Sequence, residues 1–247
     1  MRVVVSVSGG KDSTYLAAYA IYKYGRENCI FVSADTGCEF PETHEYLNYL
    51  ELKLDIKIHR VKSDRWDFFS YCRHRKKFPD ARNRFCTSDL KQAPLAKWIT
   101  SAGIDRYDDI MLTGERRDES TKRSHYREHY YNQKLRIAGF RPLLSLTTKD
   151  VFAGIRQAGL VPNPIYEHFT RLGCYGCVFN TIDEWVQLSK FYPDLFSKIS
   201  DLENEIGYTV RQGETLRQLI SRKESNLNNG AQSRQTKAGP ADTLRVV

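Results

Sequence analysis

Val3, Val4, Val5 and Val7 form an almost unbroken β-branched run that stops at Ser8-Gly9-Gly10. A helical pattern follows at once, with Tyr15, Leu16, Ala18, Tyr19 and Tyr22 at helical spacings. A strand without polar alternation is buried on both faces, which is the signature of a parallel sheet covered by helices. The opening of the chain therefore predicts a strand, a glycine loop and a helix, and commits the fold to the α/β class.

The same alternation continues. Cys29-Ile30-Phe31-Val32 predicts a second strand ending near Asp35-Thr36-Gly37, and Pro41 suits the first turn of a helix over 44–54. Ile56, Ile58 and Val61 predict a third strand, followed by a polar, basic stretch from Asp64 to Arg84. Thr87 is placed to cap a helix running to Ser101, and 109–114 reads as a fourth strand ending in Gly114. The chain is then polar and basic as far as Arg136, before a helix capped by Thr147 or Thr148 and broken at Pro162-Asn163-Pro164. Helical patterns over 181–190 and 192–206 complete the chain, and 224–247 reads as a flexible tail. The expected divisions are a nucleotide-binding domain at 1–145, a helical region at 146–221 that carries the Cys174/Cys177 loop, and a tail from 222. Parallel sheets bind ligands beyond the carboxyl ends of their strands. Ser8-Gly9-Gly10, Asp35-Thr36-Gly37 and Gly114-Glu115-Arg116 all fall there.

Composition narrows the function classes. With 247 residues, 40% hydrophobic and 28% charged, the chain is neither disordered nor fibrous. No apolar run is long enough to cross a membrane, and the amino-terminal apolar stretch is too short for a signal peptide. Thirty-eight Lys and Arg against 30 Asp and Glu leave a net charge of +8, which favours anionic partners such as nucleotides or nucleic acid. Six cysteines without a secretory signal point to a reducing cytoplasm.

Ser8-Gly9-Gly10-Lys11-Asp12-Ser13 has the chemistry of a phosphate loop. Glycines let the backbone approach a ligand, and a helix start offers free N–H groups and a positive dipole end. Ser8 and Ser13 add hydroxyls and Lys11 adds charge. Asp12 would repel a phosphate unless a cation such as Mg²⁺ lay between them. The glycine spacing differs from that of the G-x4-G-K-S/T loop. The bland alternative is a plain strand-to-helix turn.

SGGKDS resembles the PP-loop of the ATP pyrophosphatase (adenine nucleotide alpha hydrolase) family. SADTGCEFPET resembles the second-strand segment of its phosphoadenosine phosphosulfate (PAPS) reductase-like branch. RFCTSDLKQAPL, TGERRDESTKR, RPLLSLTTKDVFAGIRQAGLVPNPIY and RLGCYGC follow in the branch's order, so the resemblance spans about residues 2–190. It implies a five-stranded parallel sheet with helices on both faces and a helical carboxyl-terminal extension. It also implies ATP over Ser8, Gly9, Gly10, Lys11, Asp12 and Ser13, with Asp35 and Thr36 nearby and Arg116 and Arg117 facing phosphates. Lys11, Asp12 and Arg116 would then be the catalytic residues. Reductases of the branch carry a catalytic Cys in a carboxyl-terminal ECGIH-like segment, whereas no Cys follows Cys177 here. In this respect the chain is more similar to the DNA phosphorothioation proteins of the Dnd and Ssp systems, and it shares the PP-loop with tRNA-thiolating enzymes.

Cys174 and Cys177 form a C-x2-C, with Cys86 far upstream. Three thiolates can hold a 4Fe–4S cluster with one iron open, and Cys72 or Cys38 could close the site. Zinc, a redox-active pair and ordinary core cysteines are the competing readings. The relatives' use of clusters places iron–sulfur first. Cys29, within a strand, reads as packing. Two basic regions stand out, 73–91 and 116–136. The second is interleaved with His125, Tyr126, His129, Tyr130 and Tyr131, as a nucleic-acid surface would be. His125 and His129 lack a third ligand and read as surface residues.

The resemblance thus implies an ATP-dependent sulfurtransferase that adenylates an acceptor, the DNA backbone first among candidates, and receives sulfur from a cysteine desulfurase. A PAPS reductase and a non-catalytic nucleotide-binding subunit are the alternatives.

Overall fold

The computed structural model describes residues 1–235 of the chain. Its centre is a six-stranded sheet in the order β3-β2-β1-β4-β6-β5. The strands are β1 (Val3–Ser6), β2 (Cys29–Asp35), β3 (Ile58–Lys62), β4 (Ile110–Leu112), β5 (His129–Asn132) and β6 (Ile137–Phe140). All pairings are parallel except that of β5 with β6. The sheet is therefore the expected five parallel strands with an antiparallel edge strand added. The hairpin β5–β6 lies in the stretch whose sequence is polar and basic. Its strands have four residues each, and the turn between them places Arg136 at φ +54°. A pattern that short, carried by His, Tyr and Asn on an exposed edge, gives no clear hydrophobic period.

The valine run behaves as its composition demands. Val4 pairs with Ile30 on one side and Met111 on the other, and Val3, Val4 and Val5 are fully buried. Successive side chains point to opposite faces. Val3, Val5 and Val7 join Leu16, Ala17, Leu47, Leu50, Val151 and Ile155 in one core, while Val4 joins Leu95, Ile99 and Met111 in another. Helices α1 (Lys11–Tyr24), α2 (Pro41–Leu54) and a later helix that carries Val151 and Ile155 cover the first face. Each buried Val contributes about 1.5–3 kcal/mol relative to exposure.

Short helices α3 (Phe68–Arg75) and α4 (Phe85–Thr87) precede α5 (Ala93–Ser101), which covers the second face. Thr87 does not cap α5. It lies inside a helical stretch that runs from α4 through a π-helical segment, Ser88–Gln92, into α5. After β4 come α6 (Thr121–Ser124), then α7 (Thr148–Gln157), which Thr147 caps by accepting from the Asp150 amide.

Helices α8 (Ile182–Phe191), α9 (Pro193–Ile206) and α10 (Leu216–Gln235) follow, close to the expected spans for the first two. They build a further core around Trp185, Leu188, Ile199 and Leu202, which also takes in Cys38, Phe40, Phe68 and Phe85. Because Val151 and Ile155 of α7 sit in the sheet core, a division near residue 145 does not coincide with a change of packing. The stretch from Glu224, expected as a flexible tail, is helical as far as Gln235. Thr215 and Gln218 start that helix by a reciprocal cap, far enough upstream of the polar stretch to carry it into helix. Residues 236–247 lie outside the described residues.

Candidate nucleotide site

Strand β1 feeds the sheet toward β2 and β3 on one side, and β4 lies on the other. The order reverses between β1 and β4, which is where doubly wound sheets form a crevice. The glycine loop stands at that point. Gly9 takes φ +77°, and Gly10 caps α1 without a side-chain hydrogen bond. Ser13 closes the turn: its hydroxyl accepts from the Ser8 amide at 3.0 Å and donates to the Gly10 carbonyl at 3.0 Å. On the far side, a Cβ at Gly114 would lie 3.1 Å from the Asp12 backbone, so the loop after β4 meets the first turn of α1 closely at a residue without a side chain.

The loop is covered. Tyr166 Oη accepts from the Lys11 amide at 2.8 Å, Asn163 Nδ2 donates to the Gly9 carbonyl at 3.2 Å, and Leu172 packs beside Gly10. Gly9, Gly10, Lys11 and Ser13 are buried, and Ser8 is exposed. The Lys11 amide of the glycine loop thus already has a partner within the chain. Pro162-Asn163-Pro164 is legible in the sequence only as a helix break. Nothing in its spacing announces that it reaches back to the glycine loop.

Asp12 is not a lone carboxylate awaiting a metal. Arg116 Nε donates to its Oδ1 at 2.6 Å, and Lys11 Nζ lies 2.9 Å from its Oδ2. Two protein cations neutralise it, so the electrostatic argument for Mg²⁺ at this side chain lapses. Arg116 is 1% exposed. It also donates to Asp118, to the Leu146 carbonyl at 3.1 Å and to Thr148 Oγ1 at 3.0 Å. With every branch of its guanidinium engaged, it ties α1, the loop after β4 and the start of α7 together. Arg117 is exposed, and its guanidinium contacts Ser145 Oγ and the Tyr126 carbonyl.

Beside this loop a cavity of about 150 Å³ opens at the carboxyl ends of β1 and β2. Ser8, Asp35, Glu39, Thr43, Lys91 and Cys174 line it, so two of the three predicted loops converge here. Thr36 is buried beneath it, its amide and hydroxyl both bonded to the Glu39 carboxylate. Glu39 thereby fixes the loop after β2, and Lys91 approaches it at 3.8 Å. Thr43 Oγ1 is buried without a hydrogen-bond partner among the described residues.

Cys174 borders the same cavity, with the thiols of Cys177 and Cys38 beside it, and the Arg171 guanidinium donates to Cys177 Sγ at 3.1 Å. The thiol of Cys177 is held well above its ordinary range by its bond with Cys174 and by burial. Burial likewise raises Cys86 and pushes Cys72 up to about 12. Among the described residues no three His, Cys, Asp or Glu side chains converge as a metal site. Cys174 turns toward Cys38 and Cys177, and Cys86 lies close enough to Cys177 to interact with it electrostatically.

The second basic, aromatic region is also used internally. The Arg141 guanidinium lies 4.4 Å from the Tyr126 ring and 3.6 Å from the Tyr130 ring, and Arg123 pairs with Glu119. Tyr126 and Tyr130 thus stack on a protein cation, whereas Tyr131 of the same segment is 53% exposed. His129 stacks on Phe140.

A doubly wound sheet with a glycine loop at its switch point and a polar cavity beside it defines a nucleotide-site fold of the α/β class. Sequence comparison gives the family: the profile of the phosphoadenosine phosphosulfate reductase domain matches residues 2–179, and the chain belongs to that family. An uncharacterized 37.8 kDa protein of Escherichia phage 186 is 27% identical, over 85% of this chain and 77% of its own length. An uncharacterized protein of Methanocaldococcus jannaschii is 28% identical over 82% of this chain, which spans only 48% of that relative. The fold is similar to that of PAPS reductase from Candida auris, with a TM-score of 0.54 at 14% identity, covering 72% of this chain and 83% of that one. It is also similar to FMN adenylyltransferase from Candida glabrata, with a TM-score of 0.51 at 13% identity, covering 70% and 55%. Among the described residues no helix is long and apolar enough to cross a membrane.

Proposed function

We propose that the protein is an ATP-using enzyme that adenylates an acceptor and releases pyrophosphate. The observation that carries this reading is the cavity shared by Ser8, Asp35, Thr43 and Lys91, with the glycine loop at its edge. At about 150 Å³ it is below the ~300 Å³ of a full ligand pocket, so it suits the nucleoside portion, with the phosphates extending toward Ser8 and the start of α1. The Lys11 amide becomes a donor to the phosphates once Tyr166 yields it. ATP enters with its own Mg²⁺, which offsets phosphate charge.

In the reaction an acceptor oxygen attacks the α-phosphorus, the α–β anhydride bond breaks, and pyrophosphate leaves with the bonding pair. Preorganised amides and the Lys91 ammonium, in a site partly shut from water, stabilise the growing charge. A sulfur nucleophile then displaces AMP. The sulfur step, a cysteine desulfurase as donor and a DNA-backbone acceptor are the finer parts of the proposal. They rest on the resemblance and on a thiol, Cys174, that borders the nucleotide cavity. The same thiol, with Cys177 beside it, favours one second reading, a reductase of an adenylated sulfate.

Two incubations separate these readings. With ATP and nucleic acid, the proposal expects pyrophosphate, abolished in Ser13→Ala, whose hydroxyl closes the loop. With PAPS and a thiol reductant, sulfite would identify the reductase. Full pyrophosphate release by Ser13→Ala would remove the glycine loop from the site.

A further inference from the structure

A larger cleft, of about 480 Å³, lies between the end of β3 and α5, and no part of the nucleotide reading uses it. Arg60, Lys62, Arg65 and Lys97 line it, against two carboxylates, Asp64 and Asp89. Both carboxylates are already engaged: Asp64 pairs with Lys97, and Asp89 accepts from the Tyr71 hydroxyl at 2.5 Å. Arg60 is held by Glu51 and Asn48. Lys62 and Arg65 are exposed and pair with no carboxylate among the described residues. Trp98 forms part of the wall, braced against His59 with ring centroids 5.3 Å apart.

We propose that this cleft seats a single-stranded nucleic acid, with Lys62 and Arg65 on its phosphates and a base against Trp98. Three observations converge on that class of ligand. Lys62, and Arg65 whose guanidinium lies 4.9 Å from the Trp66 ring, have no carboxylate partner among the described residues and supply the sequence-independent attraction to a phosphodiester chain. An indole among them supplies the stacking platform that single strands use. The cleft is more open than enclosed, as a site for an extended chain must be. Arg60 fixes its place in the molecule, because this one side chain also lines the nucleotide cavity. A strand in the cleft therefore runs beside the bound nucleotide, where an acceptor must lie. The inference rests on the adenylation reading for its purpose, but not for its binding chemistry.

The test is fluorescence anisotropy of a labelled oligothymidylate with the full chain at several salt concentrations. The Lys62→Ala/Arg65→Ala double variant should bind at least 10-fold more weakly. Its slope of log K against log salt should be reduced by roughly 1.4, about 0.7 for each phosphate no longer neutralised. Trp98→Phe should abolish the oligonucleotide-induced quenching of tryptophan emission. Thermal unfolding of the double variant controls for folding. Should that variant be unstable, a 5-iodouridine oligonucleotide crosslinked to the unaltered protein should map to Trp98. Unchanged binding and slope in a folded double variant, or a crosslink elsewhere, overturns the proposal. So does equally tight binding of thymidine monophosphate at the same site, which would make the cleft a small-anion pocket. Failure of the adenylation reading would appear separately, as absent pyrophosphate with oligonucleotide binding intact.

Discussion

The backbone N–H of Lys11 donates to the phenol oxygen of Tyr166 at 2.8 Å, joining residues 155 positions apart. A helix-start amide that would serve a phosphate is thus held by a side chain from the segment after α7. Removing the phenol oxygen leaves that amide without a partner in the free protein and available in the bound one. Tyr166→Phe should therefore tighten ATP binding by about 2–10-fold, the worth of one hydrogen bond, and lower stability by about 1 kcal/mol. Calorimetric titration with ATP checks it; weaker binding would mean that the hydroxyl contacts the ligand.

Asp12 and Arg116 form the buried ion pair at the crevice, with side chains 18% and 2% exposed. Asp12→Ala leaves Arg116 Nε without its acceptor while Asp118 still pairs with the guanidinium, and the expected loss is about 1.5–3 kcal/mol. Arg116→Lys cannot satisfy Asp12, Asp118, Leu146 and Thr148 together and should lose a similar amount. Urea unfolding of both variants gives the answer. A loss of activity in Arg116→Lys with undiminished stability would restore a direct catalytic role to this residue.

Gly114 is the second point of closure. Ala at this position would press its Cβ to 3.1 Å from the Asp12 backbone, which must move to accommodate it. Gly114→Ala should destabilise by about 1–3 kcal/mol, as overpacking does, and weaken ATP binding by displacing the first turn of α1. Gly103→Ala, where no atom lies within 4 Å of the new Cβ, is the comparison for added bulk, although its positive φ carries a strain of its own.

Tyr46 gives a pH signature. Burial pushes its phenol up to about 12, against an ordinary 10.0, and its hydroxyl donates to the Val161 carbonyl at 2.6 Å. A group whose pKa is raised on folding keeps its proton in the folded state while the unfolded state loses it. Its stabilising contribution is whole below pH 10 and disappears as pH rises toward 12. In Tyr46→Phe the fall of unfolding free energy over that interval should be shallower, by up to about 1.4 kcal/mol per pH unit. Parallel slopes in the two proteins would show that Tyr46 does not titrate there.

The sequence alone determined the parallel sheet, because Val3, Val4 and Val5 can be satisfied only by burial on both faces. It also determined the glycine loop and the turns after β1, β2 and β4, since these follow from local backbone chemistry. The caps at Thr147 and the spans of α8 and α9 were legible for the same reason. Tertiary structure alone decided who meets whom. That Arg116 neutralises Asp12, that Tyr166 covers the Lys11 amide, and that Cys174 turns toward Cys38 are contacts between residues far apart in the chain. Charge and residue type do not encode such pairings; they arise when helices and loops close on a common core.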